Sequence, residues 1–333
     1  MNWKRLGTIL FGIFLSAAMV SSAAGQTPMR IAYGSFSGNY LALWVAVETG
    51  AFKEVGLEAQ QLYMGGGGTL LTQALIAGDV NISFSNGGSA IRATQSGAGL
   101  VIIGIVVDRF IFSIYSKPEI RTMADLKGKK LGIIRFGSAT DTSARIALER
   151  NGLVPGKDVT LLQLGGLGEM VASLRGGNVD AAILSPPVMW QTEKFGFHEL
   201  LDLTAMGISY PNPAIVTTRA YIRSHAEEIH KFMRGYAIGA KRMKTNEAQA
   251  KKILMKYTRI EDPEILDRVY RFYFYTLKVL QKAPYITPAA IKGAIEEVAA
   301  TAPQVKNVPA TTFYDDRFVK ELETSGFLQK LYP

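Results

Sequence analysis

Arg30-Ile-Ala-Tyr-Gly-Ser-Phe-Ser-Gly-Asn-Tyr-Leu-Ala-Leu-Trp-Val-Ala-Val-Glu-Thr-Gly50 reads as a short strand, a loop of small residues and a helix. Ile31 to Tyr33 supplies the apolar run of the strand, Ser35-Phe-Ser-Gly38 the turn residues, and Asn39 or Ser37 a cap for the helix that Gly50 ends. A loop that runs into a helix N-terminus leaves backbone N–H groups without partners, and those donors suit anionic or carbonyl oxygens. The design occurs twice. Lys130-Leu-Gly-Ile-Ile-Arg-Phe-Gly-Ser-Ala-Thr-Asp-Thr-Ser-Ala-Arg-Ile-Ala-Leu-Glu-Arg-Asn-Gly152 repeats it, with Ile133 for Ile31 and Gly152 for Gly50, an offset of 102. The next unit follows, since Gly66-Gly67 and Leu75-Ile-Ala-Gly-Asp-Val-Asn81 match Gly165-Gly166 and Leu174-Arg-Gly-Gly-Asn-Val-Asp180, with an offset of 99 between Leu75 and Leu174. A period near 100 residues is too long for a solenoid and predicts two similar α/β lobes facing each other, with a ligand between them.

The chain has 333 residues, 48% hydrophobic and 20% charged, enough for one large core or two medium ones. Residues 1–25 stand apart: Lys4-Arg5, an apolar run from Leu6 to Val20, then Ser21-Ser-Ala-Ala-Gly-Gln26, a pattern that predicts a secretory signal peptide cut after Ala23, Ala24 or Gly25. A membrane anchor is the alternative, but the run is short for a span and no stop-transfer charges follow. There is no cysteine, which excludes disulfides, thiolate nucleophiles, zinc-thiolate sites and a lipid-modified N-terminal cysteine. The expected location is the periplasm. Net charge is +9, to which Lys4 and Arg5 contribute two; a basic solvated surface accounts for it, and no nucleic-acid partner is expected of an exported chain.

In the first half, three strand-to-helix loops follow one another: Gly34 to Asn39, Met64-Gly-Gly-Gly-Gly-Thr69 after a strand over Leu57 to Tyr63, and Asn86-Gly-Gly-Ser89 after Gly78-Asp-Val-Asn-Ile-Ser-Phe-Ser85. Right-handed crossovers put such loops on one edge of a parallel sheet, where open α/β sheets bind ligands. After a strand over Leu100 to Val107, the chain is expected to cross between lobes near Asp108-Arg109 and to return through Tyr210-Pro-Asn-Pro-Ala-Ile-Val216. The first lobe is then discontinuous, residues 26–110 and 213–333, and the second is 111–212, with a two-strand hinge between them. From Thr217 the pattern turns helical: Ser224 to Thr245, Asn246 to Tyr257, Pro263 to Leu280 and Thr287 to Ala300. Its many lysines and arginines read as solvated helix surface, and the run Tyr270, Phe272, Tyr273, Phe274, Tyr275 as packing, part buried and part exposed.

The signal pattern, the Ser35-Phe-Ser-Gly38 loop, Asp125-Leu-Lys-Gly-Lys-Lys-Leu-Gly-Ile133, Gly177-Asn-Val-Asp-Ala-Ala182 and the helical tail together resemble the nitrate/sulfonate/taurine-type solute-binding proteins of ABC importers, over nearly the whole chain after its leader. The resemblance implies a type II periplasmic-binding-protein fold of two Rossmann-like lobes, a small-molecule ligand in the cleft, and handover to a membrane permease driven by a cytoplasmic ATPase. Relatives of this type include binders of aliphatic sulfonates, nitrate, taurine and thiamine-precursor pyrimidines. The expected ligand is a small organic anion or similarly compact polar molecule, bound by a monomer without cofactor or metal. A thiamine-pyrimidine synthase of the same fold and a periplasmic sensor subunit are the alternatives; the first would need an iron site, for which a chain with no cysteine and three histidines offers little.

Candidate ligand contacts in the first lobe are Ser35, Phe36, Ser37, Gly38 and Tyr40, with Gly66, Gly67, Thr69, Ser85, Asn86, Gly87 and Ser89. Turn chemistry and capping explain any one of them equally well; three loops together favour contact. In the second lobe the candidates are Arg135, Phe136, Gly137, Ser138, Ala139, Thr140 and Asp141, with Ser185, Pro186 and Trp190. Arg135, at a strand end, could grip an oxyanion, or pair with Asp141 or Asp108. Trp190 could close over an apolar part of the ligand, with packing between lobes as the favoured role. Asp108, Arg109 and Tyr210 sit at the expected hinge. No enzyme signature competes: Gly34-Ser-Phe-Ser-Gly38 carries Phe36 where a nucleophile elbow needs serine, His198, His225 and His230 lie outside the glycine-rich loops, and no phosphate-binding loop is present.

Overall fold

Each copy of the repeated pattern lies in its own five-stranded sheet in the computed structural model, which describes residues 28–279 and 282–333. The expected signal peptide lies outside the described residues. The first half runs β1 (Met29–Tyr33), α1 (Leu41–Glu48), α2 (Ala51–Glu54), β2 (Ala59–Tyr63), α3 (Gly67–Ala77), β3 (Ile82–Ser85), α4 (Gly87–Gln95) and β4 (Leu100–Ile105). The second runs β5 (Ser113–Ser116), β6 (Lys130–Ile133), α5 (Ala139–Arg150), β7 (Thr160–Gln163), α6 (Leu167–Arg175), β8 (Ala181–Leu184), α7 (Val188–Glu193) and β9 (His198–Asp202). The chain then returns through β10 (Ala214–Thr218) to the helices α8 (Arg219–Thr245), α9 (Glu247–Thr258), α10 (Pro263–Arg271), α11 (Pro288–Ala299), α12 (Arg317–Thr324) and α13 (Phe327–Leu331).

The strand orders are β2-β1-β3-β10-β4 and β7-β6-β8-β5-β9, so the duplication extends to topology. β1 pairs in parallel with β2 and β3, as β6 does with β7 and β8. Each sheet also takes in one antiparallel strand from a crossing: β10 between β3 and β4, and β5 between β8 and β9. The C-terminal ends of the parallel strands therefore share an edge in each sheet. The two crossings run side by side, Tyr210 N donating to Asp108 O at 2.8 Å and Asn212 N to Val107 O at 2.8 Å, and Arg109 bridges antiparallel to Ser209.

The helical tail covers the first sheet. Asp262 accepts hydrogen bonds from Glu264 N and Ile265 N and is followed by Pro263, so α10 starts where the sequence places it. α8 starts earlier than Ser224, at a Thr218 cap, and is kinked at His225 (φ −137°, ψ 36°). Gly239 lets α8 approach α1 closely, because a Cβ there would stand 2.5 Å from Ala46 Cβ and 2.7 Å from Ala42 O. The basic residues of the tail are largely paired on the helix surface: Arg242 with Glu54, Lys256 with Glu48, and Lys251 with Glu247 and Asp267. The aromatic run ends α10 and enters a π-turn over Phe272–Thr276, which buries Tyr270 and Tyr273 and leaves Tyr275 exposed. Among the described residues no helix is long and apolar enough to cross a membrane.

Candidate functional site

The strand-to-helix loops of the two lobes face one another around a cavity of about 40 Å³. From the β1–α1 loop come Gly34, Ser35, Asn39 and Tyr40; from the starts of α3 and α4 come Gly67, Gly68 and Asn86, with Phe84 beneath. The β6–α5 loop contributes Ile134, Ser138, Ala139 and Thr140, and the two remaining loops Leu167 and Ser185. Phe112 and Asn212, from the two crossings, complete the wall. None of these lining residues is charged, so the polar groups on offer are hydroxyls, carboxamides and backbone amides at helix starts, neutral donors fit for a compact oxygen-rich group. The Asn39 side chain is 8% exposed, and its Oδ1 is buried without a partner. A polar atom left unspent in a closed site is a cost that a ligand can remove. Burial pushes the Tyr40 phenol up to about 12 against the opposing hydrogen bonds of Ser35 and Gly34, so this wall stays neutral near pH 7.

A seam of hydrogen bonds joins the two lobes beside the site. Ser37 Oγ donates to Pro186 O at 3.0 Å and Gly38 N to the same oxygen at 3.3 Å, while Ser185 Oγ donates to Ser37 Oγ at 3.2 Å. Tyr273, carried in by the π-turn, lies 3.4 Å from Ser37 Oγ through its hydroxyl. These bonds overturn one expectation: neither Ser37 nor Asn39 caps a helix, since Ser37 heads a 3-10 turn with no side-chain cap bond and Asn39 lies inside it. Farther along, Gly66 N donates to Gly165 O at 3.0 Å and Thr69 Oγ1 to Phe136 O at 3.2 Å. The Gly137 carbonyl then receives Ser89 Oγ at 3.0 Å, Arg92 Nη2 at 3.0 Å and Asn86 Nδ2 at 3.4 Å. Arg92 is held by Glu297 at 2.7 Å, and Glu297 also accepts from Thr142 Oγ1 at 3.3 Å. Thus one face of α4 grips the second lobe.

Of the residues singled out from the sequence, Ser35, Tyr40, Gly67, Asn86, Ser138, Ala139, Thr140 and Ser185 line the cavity. Ser37, Gly38, Gly66, Thr69, Ser89, Phe136, Gly137 and Pro186 sit in the seam. Gly87 N donates to Pro211 O at 2.9 Å, and a Cβ on Gly87 would meet the Pro211 ring at 2.7 Å. The Tyr210 hydroxyl accepts from Gly88 N at 3.0 Å, its ring stacks on Phe110, and burial drives its pKa far up. Ser85 is spent on Ser83 at 2.7 Å. Asp141 accepts from Gly137 N at 2.8 Å and pairs with Arg145, and Asp108 pairs with Arg109 beside the crossings. Neither holds Arg135, whose exposed guanidinium lies over Gly66, its Nε 3.1 Å from where a Cβ would stand, and which is not among the lining residues. Trp190 is buried between lobes, edge-on to Phe272 at 5.5 Å and under Arg268 at 4.4 Å, the packing role. Phe36 is part-exposed and stacked on Tyr63.

Gly34, Asn39 and Gly68 lie in loops that the sequence assigns to the binding edge without being singled out in them, whereas Phe84, Phe112, Ile134, Leu167 and Asn212 are lining residues that the sequence reading missed. Asn39 and Asn212 stand inside stretches whose pattern reads as a helix cap and a crossing, and local pattern offers no sign of the direction of a side chain. Among the described residues no group of three His, Cys, Asp or Glu side chains is placed to hold a metal ion.

Residues 37–250 match the family profile described as NMT1/THI5 like. Proteins of Brucella abortus and Brucella melitensis described as binding proteins are 25% identical over 263 residues, covering 78% of this chain and 80% of theirs. The alkanesulfonate-binding protein of Xanthomonas axonopodis pv. citri superposes with a TM-score of 0.68 at 20% identity, over 86% of this chain and 96% of that one. The periplasmic nitrate-binding protein of Synechocystis PCC 6803 does so with a TM-score of 0.74 at 13% identity, over 93% and 91%. The fold is that of the type II periplasmic binding proteins.

Proposed function

Because this chain belongs to the NMT1/THI5-like family, we propose that it is an extracytoplasmic solute-binding protein of an ABC importer, which captures a small organic anion or similarly compact polar ligand between two lobes. The observation that carries the reading is the uncharged cavity at which the strand-to-helix loops of both sheets converge. Residues 26–110 and 213–333 would form one jaw and 111–212 the other, with the paired crossings as the hinge. A ligand touching both jaws favours the closed form by its differential affinity, and that form is what a permease, driven by its cytoplasmic ATPase, would recognise. The binding-protein relatives and the anion-binding structural neighbours support this reading. Export through the leader and a monomeric state belong to the same proposal.

A thermal-shift panel of sulfonates, carboxylates, nitrate, pyrimidines and aromatic acids tests it. A captured ligand at a hundred times its Kd should add about 2.7 kcal/mol to stability by mass action and raise Tm by several degrees. A flat panel across all five classes would count against capture of a compact polar solute.

A further inference from the structure

The cavity itself, at about 40 Å³, holds only a compact group. A second pocket of about 410 Å³ adjoins it, with Ser35 and Leu167 lining both. Its first-lobe wall is the stack of Phe36 on Tyr63, with ring centroids 4.2 Å apart and an interplanar angle of 27°. Its second-lobe wall includes Val171, Val188 and Phe195, and the Arg175 guanidinium lies 4.2 Å over the Phe195 ring. Seven large hydrophobic side chains are exposed among the described residues, and three of them, Phe36, Tyr63 and Phe195, gather here. Exposed aromatics concentrated on opposite walls of one pocket mark a binding surface and not scattered surface residues. The pocket's volume is in the range of small-molecule sites.

Resting on the capture reading above, we propose that this antechamber is a tail subsite. The ligand is amphipathic: its compact polar head occupies the cavity between the loops, and an aliphatic or aromatic tail passes Ser35 and Leu167 to lie between the Phe36–Tyr63 stack and Phe195. Polar groups at the far end of the tail would meet Arg175 and Glu169, the charged residues of this pocket. The head sets recognition and the tail sets affinity.

Calorimetric titration with two probe series separates the parts: methane-, butane-, hexane- and benzenesulfonate, and acetate, butyrate, hexanoate and benzoate. Each methylene that enters the subsite should tighten binding about fourfold. Phe195→Ala and Tyr63→Ala, both at exposed positions, should cost the hexyl and phenyl members about tenfold and leave the methyl members within a factor of two. Short members that bind in a series with no gain from chain length would overturn the tail subsite and leave capture standing. Length dependence unchanged in both variants would also overturn it. Binding by no member of either series would sink the capture reading itself for anionic heads, and the tail subsite with it.

Discussion

Gly67→Val is expected to abolish ligand capture while leaving both lobes folded. Gly67 opens α3 with φ +65°, and a Cβ there would stand 3.2 Å from Ser138 Cβ and 3.3 Å from Ile134 Cγ2, both in the opposite lobe. The first added carbon is already tight, and the two methyls of valine exceed the space. The left-handed backbone adds about 1–2 kcal/mol of strain for any residue but glycine. Relief comes most cheaply by parting the lobes at this point, because the contacts flanking Gly67 are hydrogen bonds between loops, while most of the apolar clusters that run through both lobes lies away from it. Affinity for the best ligand should fall at least about a hundredfold, Tm of the free protein by only a few degrees, and the ligand should no longer reduce the radius of gyration seen by solution scattering. Wild-type affinity in this variant would mean that capture does not need the lobes to meet at this point.

Trp44→Ala should be among the costliest core substitutions, about 3–5 kcal/mol by urea unfolding. Trp44 is fully buried on α1, stacked on Tyr257 at 4.6 Å with an interplanar angle of 4°, and edge-on to Tyr33 at 5.8 Å. It ties the loop that lines the cavity to the helical tail, so its removal opens a void among the rings of Tyr33, Tyr40 and Tyr257. A loss below about 1 kcal/mol would show that the tail repacks freely and does not brace the loop.

Most of the architecture was legible because it is written twice. A strand, a small-residue loop and a helix are local in sequence, and the offset near 100 residues carries over to sheets whose strand orders correspond. The loops could be assigned to a binding edge for the same reason. Individual contacts were less legible, since a serine in such a loop can serve a cap, a seam or a ligand. Ser37 illustrates this: its hydroxyl is spent on Pro186, nearly 150 residues away, and no local pattern encodes that partner. Arg135 drew attention by its charge at a strand end, yet the cavity wall takes the neutral residues that follow it, Ser138, Ala139 and Thr140. Asn212 and Phe112 reach the wall only because the crossings pass behind it, which is a property of the assembled fold. The π-turn that brings Tyr273 under the first loop depends on backbone bonding that an aromatic run alone does not announce.

A crystal structure with the tightest ligand of the thermal-shift panel puts capture to its most direct test. Its polar head is expected in the cavity between the loops, within hydrogen-bond distance of Asn39 or Asn86 on one side and of the Ser138–Thr140 helix start on the other. A head group bound to one lobe alone, or in a surface groove away from these loops, would contradict capture between the lobes.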